Sequence, residues 1–221
     1  MTALLLGSTP VVISAETPPA RSVHMAPLAQ YLSPNKADEI NLARSAAPRG
    51  ISQDAEILIL GPNGYETAVK GKNGFVCLVE RAWAAAVDST DFWNPQIRGP
   101  DCYNPAAARS VLPSYLKRTG WVLSGLSQAE ISERIRAAIA AQQMPLPEIG
   151  SMSYMLSREG YLSEDPRHHW HPHLMFFVPQ TLAAEWGADV KDSPVRWADF
   201  SRAPVTVFLV PVGRWSDGTP D

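Results

Sequence analysis

Short apolar runs separated by glycine-containing turns mark residues 55–83 as rich in β-strand. The turns are Gly61-Pro62-Asn63-Gly64 and Gly71-Lys72-Asn73-Gly74. Asn-Gly supplies the positive φ that tight hairpin turns require, so the pattern predicts a three-stranded antiparallel meander. Its strands are expected at 55–60, 65–69 and 75–83.

The third of these strands alternates, and its side chains are expected to divide between the two faces of the sheet. One face would carry Phe75, Cys77, Val79 and Trp83, and the other would carry Val76, Leu78 and Glu80. If the second face is buried, the carboxyl group of Glu80 needs a polar partner, because an unpaired buried charge is costly.

The last third of the chain returns to strands, expected at 152–156, 173–178 and 205–212. The strand at 205–212 is expected to be central, because neither of its faces is polar. Residues 84–104 are predicted to form a long loop, and residues 181–186 a short helix.

Capping residues indicate where two helices begin. Ser33-Pro34 combines an N-cap hydroxyl with proline at the first helical position and predicts a helix over 33–46. Asn104-Pro105 predicts a second helix over 104–119, which Pro113 is expected to kink or split.

A third helix has the clearest local signal in the chain. Ser127 and Glu130 form a capping box. Behind it, Ile131, Ile135 and Ile139 repeat at four-residue spacing, which predicts a helix with one buried face.

These elements occur in groups and not as a regular alternation of strand and helix. The grouping favours an α+β domain, with a mixed, mostly antiparallel sheet and helices packed on one face. Residues 1–32 are weakly patterned and predict a poorly ordered leader, or the remnant of a secretory signal. Residues 33–221 would then form a single domain.

Composition narrows the range of partners. The net charge of −3 and the lack of a basic face argue against nucleic acid. No apolar stretch reaches the length of about 18 residues that suggests a membrane span. The stretch from Leu4 to Ala15 resembles the core and small-residue end of a secretory signal, although it lacks a positive n-region. It predicts a periplasmic or secreted protein; the alternative is a loosely packed leader.

The two cysteines fit an exported protein. An even count in an oxidising compartment favours a disulfide between Cys77 and Cys102. Such a bond would attach the loop at 84–104 to the sheet. Two buried free thiols are the alternative.

Histidines provide the candidate chemistry. Four of the five lie at positions 168, 169, 171 and 173, directly before an apolar strand. On an extended segment His169, His171 and His173 project to one face, about 6.5–7 Å apart along the strand. Two imidazoles at this spacing can reach one metal ion, with a further ligand from elsewhere. They suit a transition metal, with zinc or copper the first candidates.

The remaining ligand is not determined by spacing. The candidates are Glu80, Glu159, Glu164, Asp165, Asp217 and His24, and Glu80 is taken as the fourth member of the predicted site. The first hypothesis is an exported protein with a mononuclear metal site. If it is an enzyme, metal-assisted hydrolysis or copper redox chemistry on a small molecule are the natural reaction classes. The second is a non-catalytic exported binding domain with structural histidines.

Three segments of the chain also resemble a group of uncharacterised, exported bacterial proteins. They are 71–81, 169–176 and 210–219, and the resemblance spans roughly 35–219. It implies export and carries no activity or site.

Overall fold

A computed structural model describes residues 24–162, 171–188, 190–198 and 205–221. Within these residues eight strands form one sheet, in the order β2-β1-β3-β4-β5-β6-β8-β7. The strands are β1 (Glu56–Gly61), β2 (Gly64–Val69), β3 (Val76–Glu80), β4 (Gly99–Tyr103), β5 (Met152–Met155), β6 (His173–Pro179), β7 (Arg196–Ala198) and β8 (Val205–Pro211).

Five α-helices accompany the sheet in the described part of the chain: α1 (Lys36–Arg44), α2 (Arg49–Ser52), α3 (Pro105–Ser110), α4 (Leu112–Leu123) and α5 (Gln128–Ala140). Short 3-10 turns cover Leu28–Gln30, Ala82–Ala84 and Ala183–Trp186. The α+β class and the mixed, mostly antiparallel sheet are confirmed. None of the described helices has the length and apolar character needed to cross a membrane.

Helices lie on both faces of the sheet, and not on one face as we expected. Leu58, Leu60 and Leu78 share a core with residues of α4 and α5. Ile57 and Cys77 point the other way and pack with α1. The apolar run of β1 therefore has two buried faces, and each face needs its own cover.

The predicted three-stranded meander is wrong in one pairing. β1 and β2 form the expected hairpin, but β3 pairs in parallel with β1 on its other side. The segment before β3 runs beside β1, where Lys72 N–H donates to the carbonyl of Asp54 (2.7 Å). A Cβ at Gly71 would clash with the backbone of Glu56, so glycine permits this close approach. Gly74 does adopt positive φ (77°), but within a crossover connection.

The disulfide between Cys77 and Cys102 is present, and it joins two strands. The two cysteines are directly paired in β3 and β4, with Cα atoms 4.0 Å apart. The prediction of a loop through Cys102 is wrong, because Gly99–Tyr103 is a buried strand. Gly99-Pro100 resembles a turn in sequence, but pairing with β3 on one side and β5 on the other makes it a strand.

Local helix signals agree with the structure except at the first helix. The capping box of Ser127 is present at the start of α5, and the predicted second helix is divided before Pro113 into α3 and α4. The first helix begins at Lys36, because the side chain of Asn35 caps it by accepting from Ala37 N–H (2.9 Å). Ser33 instead bonds the carbonyl of Asn35.

The predicted domain boundary at residue 32 lies too far along the chain. Tyr31 is fully buried, and its hydroxyl donates to the carbonyl of Trp93 (2.7 Å). Residues 24–32 therefore belong to the packed domain. Residues 1–23 lie outside the described part of the chain.

Candidate functional site

Glu80 lies at the end of β3, on the sheet face that α4 covers. Its side chain is only 8 % exposed. The hydroxyl of Tyr103 donates to Oε1 of Glu80 over 2.6 Å. The expectation that a buried Glu80 requires a partner is therefore confirmed, and the partner comes from the neighbouring strand β4.

A second carboxyl group, Asp101, shares this face of the sheet. Asp101 is paired with Leu78, two residues before Glu80, and its side chain is fully buried. The hydroxyls of Tyr103 and Ser153 are near enough to favour its charged form. Neither makes a well-aligned hydrogen bond, and both carboxyl oxygens of Asp101 lack such a partner among the described residues.

Burial changes the acidity of both carboxyl groups. It raises the pKa of Glu80 from 4.5 to about 7, against the opposing effects of the Tyr103 hydrogen bond and the charge of Arg118. Burial, and then repulsion from Glu80, raise the pKa of Asp101 well above its ordinary value. The two groups titrate as a pair, so near neutral pH the pair retains a proton.

One cation on α4, Arg118, faces Glu80. Arg118 is 9 % exposed, and its Nη1 donates to the carbonyls of Trp83 (3.0 Å) and Ala85 (2.9 Å). Its Nε is buried and has no hydrogen-bond partner in the described part of the chain. Arg118 acts on Glu80 through its charge, and the carbonyl contacts hold its guanidinium in place.

Two tyrosines fix the position of the strand end that carries Glu80. Tyr65 donates to the carbonyl of Val79 (2.7 Å), and its hydroxyl lies 3.0 Å from that of Tyr115. The N–H of Arg81 in turn donates to the hydroxyl of Tyr115 (2.9 Å). The backbone on both sides of Glu80 is therefore held by hydrogen bonds from β2 and α4.

Arg81 forms a separate ion pair with Glu39 of α1. Its Nη2 lies 2.7 Å from Oε1 of Glu39, and both side chains are almost fully buried. Its Nε donates to the carbonyl of Tyr31. Arg81 is therefore neutralised by α1, and it provides structural support beside Glu80.

A pocket opens beside Glu80 between the sheet, α3 and α4. Its empty space, which includes a part that is open to solvent, is about 720 Å³. Glu80, Tyr103, Tyr115 and Arg118 provide most of its polar groups, together with two serines. The rest of the lining is apolar: Ala84, Val111, Met144, Met175, Phe177, Val205 and Val207.

A second pocket of about 710 Å³ lies on the other side of Glu80, and His173 contributes to its wall. Two of the four predicted ligands, Glu80 and His173, thus border one space. His173 is buried, and its Nδ1–H donates to the carbonyl of His171 (2.9 Å). Burial lowers the pKa of His173, and the neutral ring keeps Nε2 as an acceptor.

The predicted histidine set is not brought together within the described residues. The side chain of His171 is exposed, and its Nδ1 lies 2.6 Å from Oδ2 of Asp221. His169 lies outside the described residues, as do the alternative ligands Glu164 and Asp165. In the described ranges no three His, Cys, Asp or Glu side chains are placed to hold a metal ion. The metal site therefore stays a prediction.

Sequence reasoning found Glu80 but missed its neighbours Asp101 and Arg118. Asp101 was assigned to a loop, since Gly99-Pro100 precedes it. Arg118 lies one helical turn after Ser114 and Tyr115 on the pocket side of α4, but a lone arginine in an amphipathic helix has no distinguishing pattern. The only sequence feature that could have indicated the site is a polar residue within an otherwise apolar, buried strand.

The comparisons with known proteins assign no family. The chain matches no known family model, and no curated protein or solved structure shows significant similarity to it. The resemblance to exported bacterial proteins therefore stays a prediction, and the function must be argued from the site itself.

Proposed function

We propose that this domain binds a small, largely apolar molecule in the pocket beside Glu80. The observation that carries this proposal is a pocket with apolar walls and a few convergent polar groups held by a rigid sheet and helix. This corresponds to the second hypothesis from the sequence, a binding domain in which the histidines are structural. The contacts of His171 with Asp221 and of His173 with backbone support it.

We also propose that the protein works in the periplasm or outside the cell. The Cys77–Cys102 disulfide supports this location, because such bonds persist mainly in oxidising compartments.

Binding can be tested with 1-octanol on the full chain carrying methyl-labelled methionine. Met144 and Met175 line the pocket, so octanol is expected to shift their methyl signals in a saturable titration. Val205→Phe would place a ring in the pocket and is expected to weaken binding by roughly tenfold or more, which is about 1.4 kcal/mol.

Val178→Phe is the matched control. Val178 is on β6 beside Phe177, but strand alternation directs its side chain to the opposite face of the sheet. It should leave octanol binding unchanged. Octanol that causes no saturable shift, or that binds equally to the Val205→Phe variant, would contradict the proposal.

A metal site is the second candidate, because Glu80 and His173 border the same pocket. It requires a further ligand, and His169 is the predicted one. Metal analysis of protein purified without a histidine tag tests it. Stoichiometric zinc or copper, lost on His173→Ala and His169→Ala substitution, would favour this candidate over an apolar ligand.

A further inference from the structure

The charged groups around the pocket balance only while the carboxyl pair keeps a proton. Glu80 and Asp101 lie on one face of adjacent strands, and Arg118 of α4 lines the same pocket as Glu80. The other nearby guanidinium, Arg81, is already paired with Glu39. A proton retained by the pair balances this cluster near neutral pH. With both carboxyl groups ionised the cluster would carry one negative charge in excess, so a bound cation can take the place of that proton.

Arg118 does not occupy the ligand-facing side of Glu80. Its Nη1 is directed to the backbone carbonyls of Trp83 and Ala85. No direct ion pair joins the side chains of Arg118 and Glu80 in the structure. The attraction between them acts at a distance, and the carboxyl group remains available to another cation.

One oxygen of Glu80 is available to a ligand. Tyr103 donates to Oε1, and Glu80 borders both pockets. Oε2 is therefore the acceptor left for a molecule in the pocket. Asp101 lies on the same face, fully buried, and among the described residues neither of its oxygens has a well-aligned hydrogen bond. When it is ionised, it adds negative potential beside Glu80. Such a potential acts strongly where water is excluded.

The walls specify the rest of the ligand. Beyond Glu80 the pocket is lined by the apolar side chains of Met175, Phe177, Val205 and Val207. None of these four side chains can pair with a second charged group on the ligand. An apolar chain or ring can contact these side chains while a charged head group meets the carboxyl. A cation without an apolar part would leave most of this surface wet.

From this arrangement we propose that the natural ligand is an amphiphilic amine, whose protonated nitrogen binds Oε2 of Glu80 and whose apolar part lies along the walls of the pocket. The inference rests on the proposed function, and it adds the chemical class of the ligand. The ammonium group then replaces the proton that the carboxyl pair otherwise retains near neutral pH.

Three octyl compounds with different head groups test this on the full chain: octylammonium, 1-octanol and octanoate. Titrations followed by the Met144 and Met175 methyl signals should show octylammonium binding at least roughly tenfold more tightly than octanol, because the ammonium group adds a charge-assisted hydrogen bond. Octanoate should bind more weakly than octanol, because like charges repel.

Substitutions distinguish the effect of the charge at the site on binding from the effect of the net charge of the protein. Glu80→Gln is expected to abolish the preference for octylammonium while octanol still binds. Glu133→Gln, on the exposed surface of α5, is the control and should leave the preference unchanged. Octanol binding to each variant shows that the pocket is still folded.

The possible outcomes distinguish the two proposals. If octanol binds but octylammonium binds no more tightly, the amine inference is overturned and the proposed binding function stands. If Glu80→Gln retains the full preference, the inference is also overturned. If no octyl compound binds, both proposals fail.

Discussion

Replacing Glu80 with glutamine should change how the stability of the protein depends on pH. Glutamine keeps the size of the side chain and an oxygen that accepts from Tyr103, but it cannot ionise. Because the folded-state pKa of Glu80 lies above its ordinary value, the unfolded chain loses this proton at lower pH than the folded protein does. Stability must therefore fall as pH rises from about 4.5 to about 7, and then stay level.

The size of this effect follows from the shift. One pKa unit corresponds to about 1.4 kcal/mol, so raising the pKa of Glu80 from 4.5 to about 7 lowers the free energy of unfolding by about 3 kcal/mol above neutral pH. Asp101 adds to the fall, because its pKa is raised as well. His173 acts in the opposite direction below its ordinary pKa of 6.5, since burial keeps its ring neutral in the folded state.

Titratable groups from several elements surround Glu80, so the experiment must isolate the contribution of Glu80 itself. The titratable or charged residues that face it are Tyr65, Arg81, Asp91, Asp101, Tyr103, Tyr115, Arg118 and His173. Subtracting the curve of Glu80→Gln from that of the wild type removes the contributions that the two proteins share. The part of the Asp101 shift that is caused by repulsion from Glu80 is lost in the variant, and it adds to the difference in the same direction.

Urea unfolding monitored by tryptophan fluorescence provides the free energies at a series of pH values. Glu80→Gln is expected to be more stable than the wild type by about 3 kcal/mol at pH 8, with the difference shrinking toward pH 4.5. Glu133→Gln serves as the surface control and should follow the wild-type curve. A difference between Glu80→Gln and the wild type that is the same at both ends of the range would refute the reasoning.

Three further predictions concern other parts of the chain. Replacing Cys77 and Cys102 together with alanine should lower the free energy of unfolding by about 3 kcal/mol, since the loop that they close is longer than 15 residues; reductant should then leave the urea midpoint of the variant unchanged. His171→Ala should reduce stability by under about 1 kcal/mol, because its pair with Asp221 is at the surface, and equally with and without chelator; a chelator that removes the difference would indicate bound metal. Ser127→Ala should reduce stability by about 1 kcal/mol through loss of the α5 cap, measured by thermal unfolding; an unchanged Tm would contradict this.

The histidine cluster and the acidic pair show how far a site can be read from sequence. The histidines form a visible local pattern, yet His171 is exposed beside Asp221 while His173 is buried at the second pocket. Glu80 stood out only as a charge in an apolar strand. Asp101 belongs to the site only because β4 pairs with β3, and no local sequence pattern specifies that pairing.

The sequence alone determined the features that depend on a few neighbouring residues. The capping box at Ser127, the division of the helix before Pro113 and the alternation of β3 belong to this class, because their hydrogen bonds and side-chain directions are settled within one or two turns of chain. Only the tertiary structure decided that β3 lies parallel to β1, that Gly99–Tyr103 is a strand, and that two carboxyl groups meet beside one guanidinium. Those features depend on pairing between distant segments, whose free energy comes from burying both partners together.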